Sequence, residues 1–562
     1  MRILLLLFFA VFVCSEKSFE EKLREGNQLL KNEPHADDTM EFLKKLRSME
    51  KEIEEEYFAK PNAEEMKAME EYAKIEPTDM GASIAGVNMD SKVGNALFQG
   101  DIILTKEQAD KILEDITNNK GNRKKRQAYR DENYPKFLWS NGVNFAFHNS
   151  TSVARRVFTR AAAMWSWDTC INFGETDRAK DKIVVVKSEG CWSYIGRIGG
   201  SQALSLGAGC ESVGTAAHEI GHALGLFHTQ SRHDRDSFVT LQLQNILPGW
   251  ETQFVKQTEK TNYNYNLTYD YGSLMHYGAT IVSKNREPYI VPHNTKFMQT
   301  LGSPFISFYD KLMVNLHYKC LDKCNEASSA KCENGGYPHP RHCSRCICPS
   351  GYGGNTCNER PPGCGKVLTA TESYQELSDT VGQTNYDRNA NNDNFRMCYY
   401  WIKAPAGSKI EVVFQNYTEN LSSDGCVWAG VEIKTLADKR HTGYRFCSPN
   451  YGGTSLVSVH NIVPIITYSR VYKATSVLRY RIASSEPITS KTTSEPTSQQ
   501  TPQPTPKQTP QPSSQKTPRP TGPPEKGCKD GVLCNMLEDL GFCSSSEYKL
   551  KFKQKVCPGV CA

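Results

Sequence analysis

HEIGHALGLFH, residues His218 to His228, decides how this chain is read. Four residues along an α-helix advance about 400°, so His218 and His222 share a face with Glu219 close beside them. His228 follows His222 by six residues, about 600° on a continued helix, which would point it away from that face. The helix must therefore end first. Gly225 can take a positive φ and turn the chain so that His228 returns to the same ion. Three imidazoles leave a fourth position for water, the arrangement of a catalytic rather than a structural zinc site. His218, His222 and His228 are thus the expected ligands of one Zn²⁺. Glu219 is the expected catalytic acid–base group, taking a proton from the water and passing it to a leaving amine.

GSLMHYG, Gly272 to Gly278, supplies a second segment that this kind of site needs. With it the chain resembles the astacin family of metzincin zinc peptidases. The resemblance implies an α+β peptidase domain with a mixed sheet and an active-site helix, and makes Met275 the methionine turn beneath the metal. It also implies that catalytic Tyr277 is a displaceable zinc ligand that stabilises the oxyanion. Arg232, Asp234, Arg235 and Asp236 continue the signature. The family usually reads Gly-Phe-x-His-Glu around the third histidine, whereas this chain reads Gly225, Leu226, Phe227, His228, Thr229. That glutamate contacts the freed N-terminus in the family, so the anchoring step departs from the pattern at Thr229.

The 562 residues exceed one core, and 20 cysteines do not suit a reducing cytosol. With 67 basic against 62 acidic residues, net charge argues for neither nucleic acid nor an anionic membrane as partner. Arg2, the apolar run Ile3 to Cys14 and Ser15 read as a secretory signal peptide over 1–15, too short to cross a bilayer of about 30 Å. No later stretch is apolar enough to span, so the expected location is extracellular. Asn149, Asn266, Asn416 and Asn420 are the candidate N-glycosylation sites.

Residues 16–126 hold no cysteine, are rich in Glu and Lys, and read as solvated charged helix ending in RKKR at Arg123 to Arg126. Such a basic run suits furin-type processing between Arg126 and Gln127, which makes 16–126 a propeptide. FQGD, Phe98 to Asp101, is similar to the astacin latency motif, which implies Asp101 as the zinc ligand that shuts the site.

Setting Cys14 aside leaves an odd number of cysteines, to be explained module by module. In 127–320 the astacin resemblance pairs Cys170 with Cys320 and Cys191 with Cys210. Six more, ending in CICPSGYGGNTC, make 321–358 resemble an EGF-like module. That likeness implies Cys324 with Cys343, Cys332 with Cys346, and Cys348 with Cys357. Residues 364–482, with alternating strands such as KIEVVFQNY, look like a CUB domain, an antiparallel sandwich with consecutive bonds Cys364–Cys398 and Cys426–Cys447. Its acidic residues Asp387 and Asp424 read as solvated loop carboxylates in preference to the calcium site that some CUB domains carry. The stretch 484–526, full of Ser, Thr, Pro and Gln, is a linker that cannot bury a core. Residues 528–562 resemble an incomplete ShK toxin-like module. That pattern would join Cys534 to Cys557 and Cys543 to Cys561, leaving Cys528 unpaired or linked to another chain.

The sequence therefore reads as a multidomain secreted zinc metalloendopeptidase, latent until cut after Arg126. The expected partners are protein substrates of the extracellular matrix, cuticle or diet, with protein or glycan contacts through the CUB and C-terminal modules. The alternative is a catalytically silent matrix-binding protein on the same scaffold, for which loss of Glu219 or a histidine would speak; all four groups are present. Matrixins and adamalysins lack the SxMHY turn and this cysteine layout.

Overall fold

Alternation in KIVVV, with Ile183 and Val185 buried and their neighbours half-buried, makes a central strand of a mixed sheet. The computed structural model describes residues 17–50, 62–73, 83–118, 128–129, 134–258, 262–325, 327–384 and 394–483. The signal segment, Arg126 and Gln127, Asp387, the linker and Cys528, Cys534, Cys543, Cys557 and Cys561 lie outside them. The chain divides into two compact units, Met1–Pro487 and Ile488–Ala562, and all described residues belong to the first.

The strands around the site are β1 (Ile102–Ile103), β2 (Ala128–Tyr129), β3 (Val143–His148), β4 (Phe173–Glu175), β5 (Lys182–Val186), β6 (Cys191–Tyr194) and β7 (Ser201–Leu206). All but β2 form one sheet in the order β1-β6-β7-β5-β3-β4. Only β6 and β7 pair antiparallel; β1 joins β6 in parallel, so the N-terminal segment caps the edge of the sheet. β2 pairs instead with Asn262–Tyr263.

Two helices lie against the sheet. Ser152–Trp167 starts on Thr151, whose side chain accepts from Ala154 N, and its Trp165 indole donates to Ala217 O at 2.9 Å in the second helix, Val213–Ala223. The Cys170–Cys320 bond fastens the first helix's end to the close of the peptidase region.

The N-terminal segment is more than a solvated helix. Helices Phe19–Leu29, Ala36–Ser48 and Lys106–Asn118 turn charged faces outward, while Leu23, Phe42, Leu43, Leu46 and Ile112 share a buried cluster with Phe98, Trp192 and Phe227.

After Cys320 a small unit bonds Cys324 to Cys343, Cys332 to Cys346 and Cys348 to Cys357. Arg341 seats it on the peptidase by donating to Thr169 O and Ile171 O. A sandwich of a five-stranded and a four-stranded sheet follows, bonded Cys364–Cys398 and Cys426–Cys447. It departs from an all-antiparallel expectation: the edge strand Val367–Thr369 runs parallel to Trp401–Lys403. Asp424 is not a solvated loop carboxylate either. It is buried, and Thr280 of the peptidase donates to its Oδ2 from both N (2.7 Å) and Oγ1 (2.9 Å). The two regions share one apolar core, where Phe297 lies 4.3 Å from the Tyr271 ring and 4.4 Å from that of Tyr444.

Helix Phe308–His317 opens with a capping box between Ser307 and Asp310. The Asp310 carboxylate also accepts from Ser273 Oγ (2.6 Å) and Leu274 N (2.8 Å), so it binds this helix to the loop below the metal site. Burial pushes its carboxyl up to about 6 against those donors. The folded protein then holds this proton more tightly than the unfolded chain, and the associated stability is lost as pH rises from about 4 through about 6. Thermal unfolding of wild type and Asp310→Asn across pH 4 to 7 should show the wild-type advantage shrinking over that window, and a constant difference would contradict the assignment.

Candidate metal centre

The helix that carries HEIGH begins at Ser212, whose hydroxyl accepts from Thr215 N at 3.0 Å. It ends where Gly225 takes φ +102°, with Gly225 N donating to His222 O (2.8 Å) and Leu226 N to Gly221 O (3.0 Å). That Schellman pairing reverses the chain and brings His228 back to the helix face. Gly221 is needed for a different reason: a Cβ there would lie 2.7 Å from the sulfur of Met275. The methionine of the downstream turn, fully buried, thus packs directly under the helix between its two histidines.

His218, His222, His228 and Asp101 each point one ligating atom into a space where all four lie within 4.8 Å of one another. Asp101 Oδ2 is 3.3 Å from His218 Nε2 and 3.1 Å from His228 Nε2, and Oδ1 is 3.4 Å from His222 Nε2. Each imidazole is oriented through its other nitrogen. Nδ1 of His218 donates to Leu274 O (2.9 Å), that of His222 to Leu226 O (2.7 Å), and that of His228 meets Gln99 Oε1 (3.0 Å). These partners leave the Nε2 lone pairs facing inward.

Those lone pairs test whether a metal fits. Nε2 of His218 and of His228 stand 3.1 Å apart, two acceptors face to face, and His222 Nε2 and Asp101 Oδ1 are buried without a hydrogen-bond partner. Such an array is satisfied by a shared cation. Burial lowers His222 and pushes His228 down to about 3, with the Asp101 charge working the other way, and this favours the unprotonated, ligating form of both rings. Burial opposes the charge of Asp101, but the facing histidines outweigh it and hold the carboxyl well below its usual range.

Glu219 lies in the same space, fully buried, with no hydrogen-bond partner for either oxygen. Burial first, and then the charge of Asp101, hold its carboxyl well above the usual range. Tyr277 takes Gln230 Oε1 on its backbone N–H (3.0 Å), and its hydroxyl donates to Gln99 O of the N-terminal segment.

Several residues that hold Asp101 in place were not singled out in the sequence. Asn88 donates to Gly100 O (2.8 Å) and Cys191 O (2.7 Å) and accepts from Cys191 N (2.7 Å), clamping the segment to β6. Gly100, at φ +83°, has no room for a Cβ, which would lie 2.7 Å from the Tyr277 hydroxyl and 2.9 Å from the Trp250 ring. Gln253 donates to Leu97 O at 3.0 Å. Only the glycine of FQGD carried a local signal, because the partners of the others lie far along the chain.

Thr229 keeps a place in the site's frame. Its N–H donates to Met275 O (2.8 Å) and its hydroxyl to Ser273 Oγ (2.9 Å), which in turn donates to Asp310. Just after the expected cut, Ala128 and Tyr129 are buried, and Tyr129 N donates to Gly225 O at the helix end. Cys170 is bonded to Cys320 and Cys191 to Cys210. The side chains of Asn149, Asn266, Asn416 and Asn420 are exposed.

A mixed sheet under an HExxH helix, closed by a methionine turn, defines a metallopeptidase of the metzincin kind. Residues 131–319 match the peptidase family described as Astacin. Zinc metalloproteinase nas-31 of Caenorhabditis elegans is 44% identical over 433 residues, covering 76% of this chain and 70% of that protein. Zinc metalloproteinase nas-32 of the same organism is 35% identical over 440 residues, covering 77% and 66%. Among solved structures, high choriolytic enzyme 1, a hatching enzyme zinc-protease from Oryzias latipes, is 32% identical and is matched over 34% of this chain and 98% of its own, with a TM-score of 0.31. The chain belongs to the astacin family. It is a zinc metalloendopeptidase, and zinc is the metal its three histidines and carboxylate fit.

Atomic absorption on the purified chain should find one zinc per molecule and a large loss in His222→Ala; equal zinc in both would remove His222 from the ligand set. In Gly100→Ala, hydrogen exchange at Asp101 to Ile103 should quicken as the segment lifts from Tyr277 and Trp250, and unchanged exchange would show that the close approach there is dispensable.

Proposed function

We propose that this chain is a secreted zymogen in which Asp101 shuts the zinc site, and that cutting between Arg126 and Gln127 frees it to hydrolyse extracellular proteins. The observation that carries this reading is the Asp101 carboxylate, buried against all three histidines and supplied by a segment that precedes a basic run. The same carboxylate disfavours the ionised form of Glu219. The docking of Ala128 and Tyr129 beside Gly225 supports the mature chain keeping its grip on the site once the preceding residues leave.

When bound, the metal supplies Lewis-acid activation of water and of the scissile carbonyl. His218, His222 and His228 hold it, each fixed by the acceptor on its Nδ1. Glu219 Oε takes the proton of the attacking water and hands it to the departing amine, so that one water is consumed and one amide bond is broken. Tyr277, released from Gln99 O, donates its hydroxyl to the oxygen that gains charge. Met275 supports the helix from below. The EGF-like, CUB and ShK-like modules direct the enzyme to matrix, cuticle or dietary proteins through protein or glycan contacts. The four exposed asparagines carry glycans, consistent with an extracellular protein that has no helix long and apolar enough to cross a membrane among its described residues.

Casein hydrolysis by the chain processed after Arg126 should fall by about 10²–10⁴-fold in Glu219→Ala. Tyr277→Phe should lower kcat about 100-fold with little change in KM. Asp101→Ala should cleave casein without processing. Equal rates for wild type and Glu219→Ala would favour the catalytically silent matrix-binding protein, and an inactive unprocessed Asp101→Ala with its zinc retained would overturn the latency assignment.

A further inference from the structure

Trp192, Tyr194, Ile195, Phe227 and Val255 of the peptidase region are exposed by 1% or less, and the apolar side chains that cluster with them come mostly from the N-terminal segment. Departure of residues 16–126 would uncover this face, together with the edge of β6 that β1 now covers. We propose that the uncovered face is a docking site for an amphipathic helix of the protein substrate, lying a few residues from the bond that is cut. This rests on the reading above, in which the segment leaves the peptidase.

The segment itself shows what fits. From Asp101 at the metal the chain runs along the β6 edge, with Ser193 N donating to Asp101 O at 3.0 Å and Ile102 and Ile103 paired to Ser193 and Tyr194. It then turns into a helix at Lys106, about five residues on. Thr105 and Gln108 cap that helix reciprocally, Gln108 N donating to Thr105 Oγ1 (3.3 Å) and Thr105 N to Gln108 Oε1 (3.0 Å).

Helix Lys106–Asn118 is two-faced. It buries Gln108, Ala109, Ile112 and Ile116 along one stripe and exposes Glu107, Asp110 and Glu114. Ile112 and Ile116 share the cluster with Ile195 and Tyr194, and Gln108 Nε2 donates to Ile195 O at 2.9 Å. At the first turn Glu107 Oε2 lies 3.3 Å from Lys136 Nζ of the peptidase region. The partner that matches this face is therefore a helix with an apolar i, i+4 stripe and an acidic first turn.

When the segment leaves, the Ser193 N–H, the Ile195 carbonyl and the Tyr194 ring lose the contacts it gave them. An apolar face of this kind, beside an open strand edge, marks a place of interaction. Continuity with the metal favours a substrate over a second copy of the chain. The β6 edge leads from the zinc ligands to the face, so a peptide held at the metal reaches it within about five residues, whereas a second copy seated there would close that edge to substrate. An edge strand pairs in either direction, so the helix can lie before or after the cut.

The test uses the full chain processed after Arg126 and separated from residues 16–126, with a short peptide that it cuts. The same peptide is extended by the sequence Lys106–Asn118, on either side at a five-residue spacing, or by that sequence carrying Ile112→Ser and Ile116→Ser. One of the helix-bearing peptides should show a KM lower by about tenfold or more with kcat little changed, and its Ser counterpart should show no gain. Tyr194→Lys in the enzyme should remove the difference in KM between extended and unextended peptides. No gain with the helix on either side, a gain that the Ser counterpart keeps, or one that survives Tyr194→Lys would overturn the proposal. Sedimentation showing that the processed chain pairs with itself through this face would also overturn it, assigning the face to a second copy. Failure of the processed wild type to cut the unextended peptide would overturn the peptidase reading instead.

Discussion

Three imidazoles and one carboxylate meet inside the protein with none of the four exposed beyond 4%. A charge taken so far from water is tolerated only when it is closely partnered. Asp101 answers that condition only if the backbone around it is held in place. Asn88 ties that backbone to Cys191, β1 pairs with β6, and Gly100 allows the close approach to Tyr277 and Trp250. The helices of the N-terminal segment hold these contacts in place through a buried apolar cluster.

The floor of the site is equally interlocked. Gly221 admits Met275, Thr229 and Ser273 pass a hydrogen-bonded chain to Asp310, and Asp310 caps the helix that runs to Cys320 and so to the first long disulfide. The residue at 229 therefore acts as a structural link between His228 and the turn at Met275. The sandwich shares a core with the peptidase region, so the accessory module is packed against it and is not a bead on a string.

What the sequence disclosed follows how local each signal is. The 218–228 constellation was legible because helical periodicity and one glycine determine it within eleven residues, and the turn at Met275 because it is a compact motif. The seven disulfides from Cys170 to Cys447 were legible only through the resemblance of each cysteine group to a known module, since spacing alone leaves many pairings open. Asn88, Gln99 and Trp250 stayed silent because their partners are 12 to 178 residues away and their residue types are ordinary. Asp424 was misread for the same reason: an aspartate between Ser423 and Gly425 has the composition of a solvated loop, and only the approach of Thr280 from the peptidase buries it. The parallel edge strand Val367–Thr369 likewise depends on a neighbour about thirty residues on, and short strands carry no mark of direction.

The central claim is that one carboxylate from the N-terminal segment completes the zinc site and departs with that segment. Zinc K-edge X-ray absorption on the zinc-loaded chain, before and after cutting at Arg126, tests it most directly. The account predicts three imidazole nitrogens and a carboxylate oxygen before the cut, and three imidazoles with the carboxylate signal replaced by solvent oxygen after it. A first shell that is identical before and after the cut, or one that Asp101→Ala leaves unaltered in the uncut chain, would contradict it.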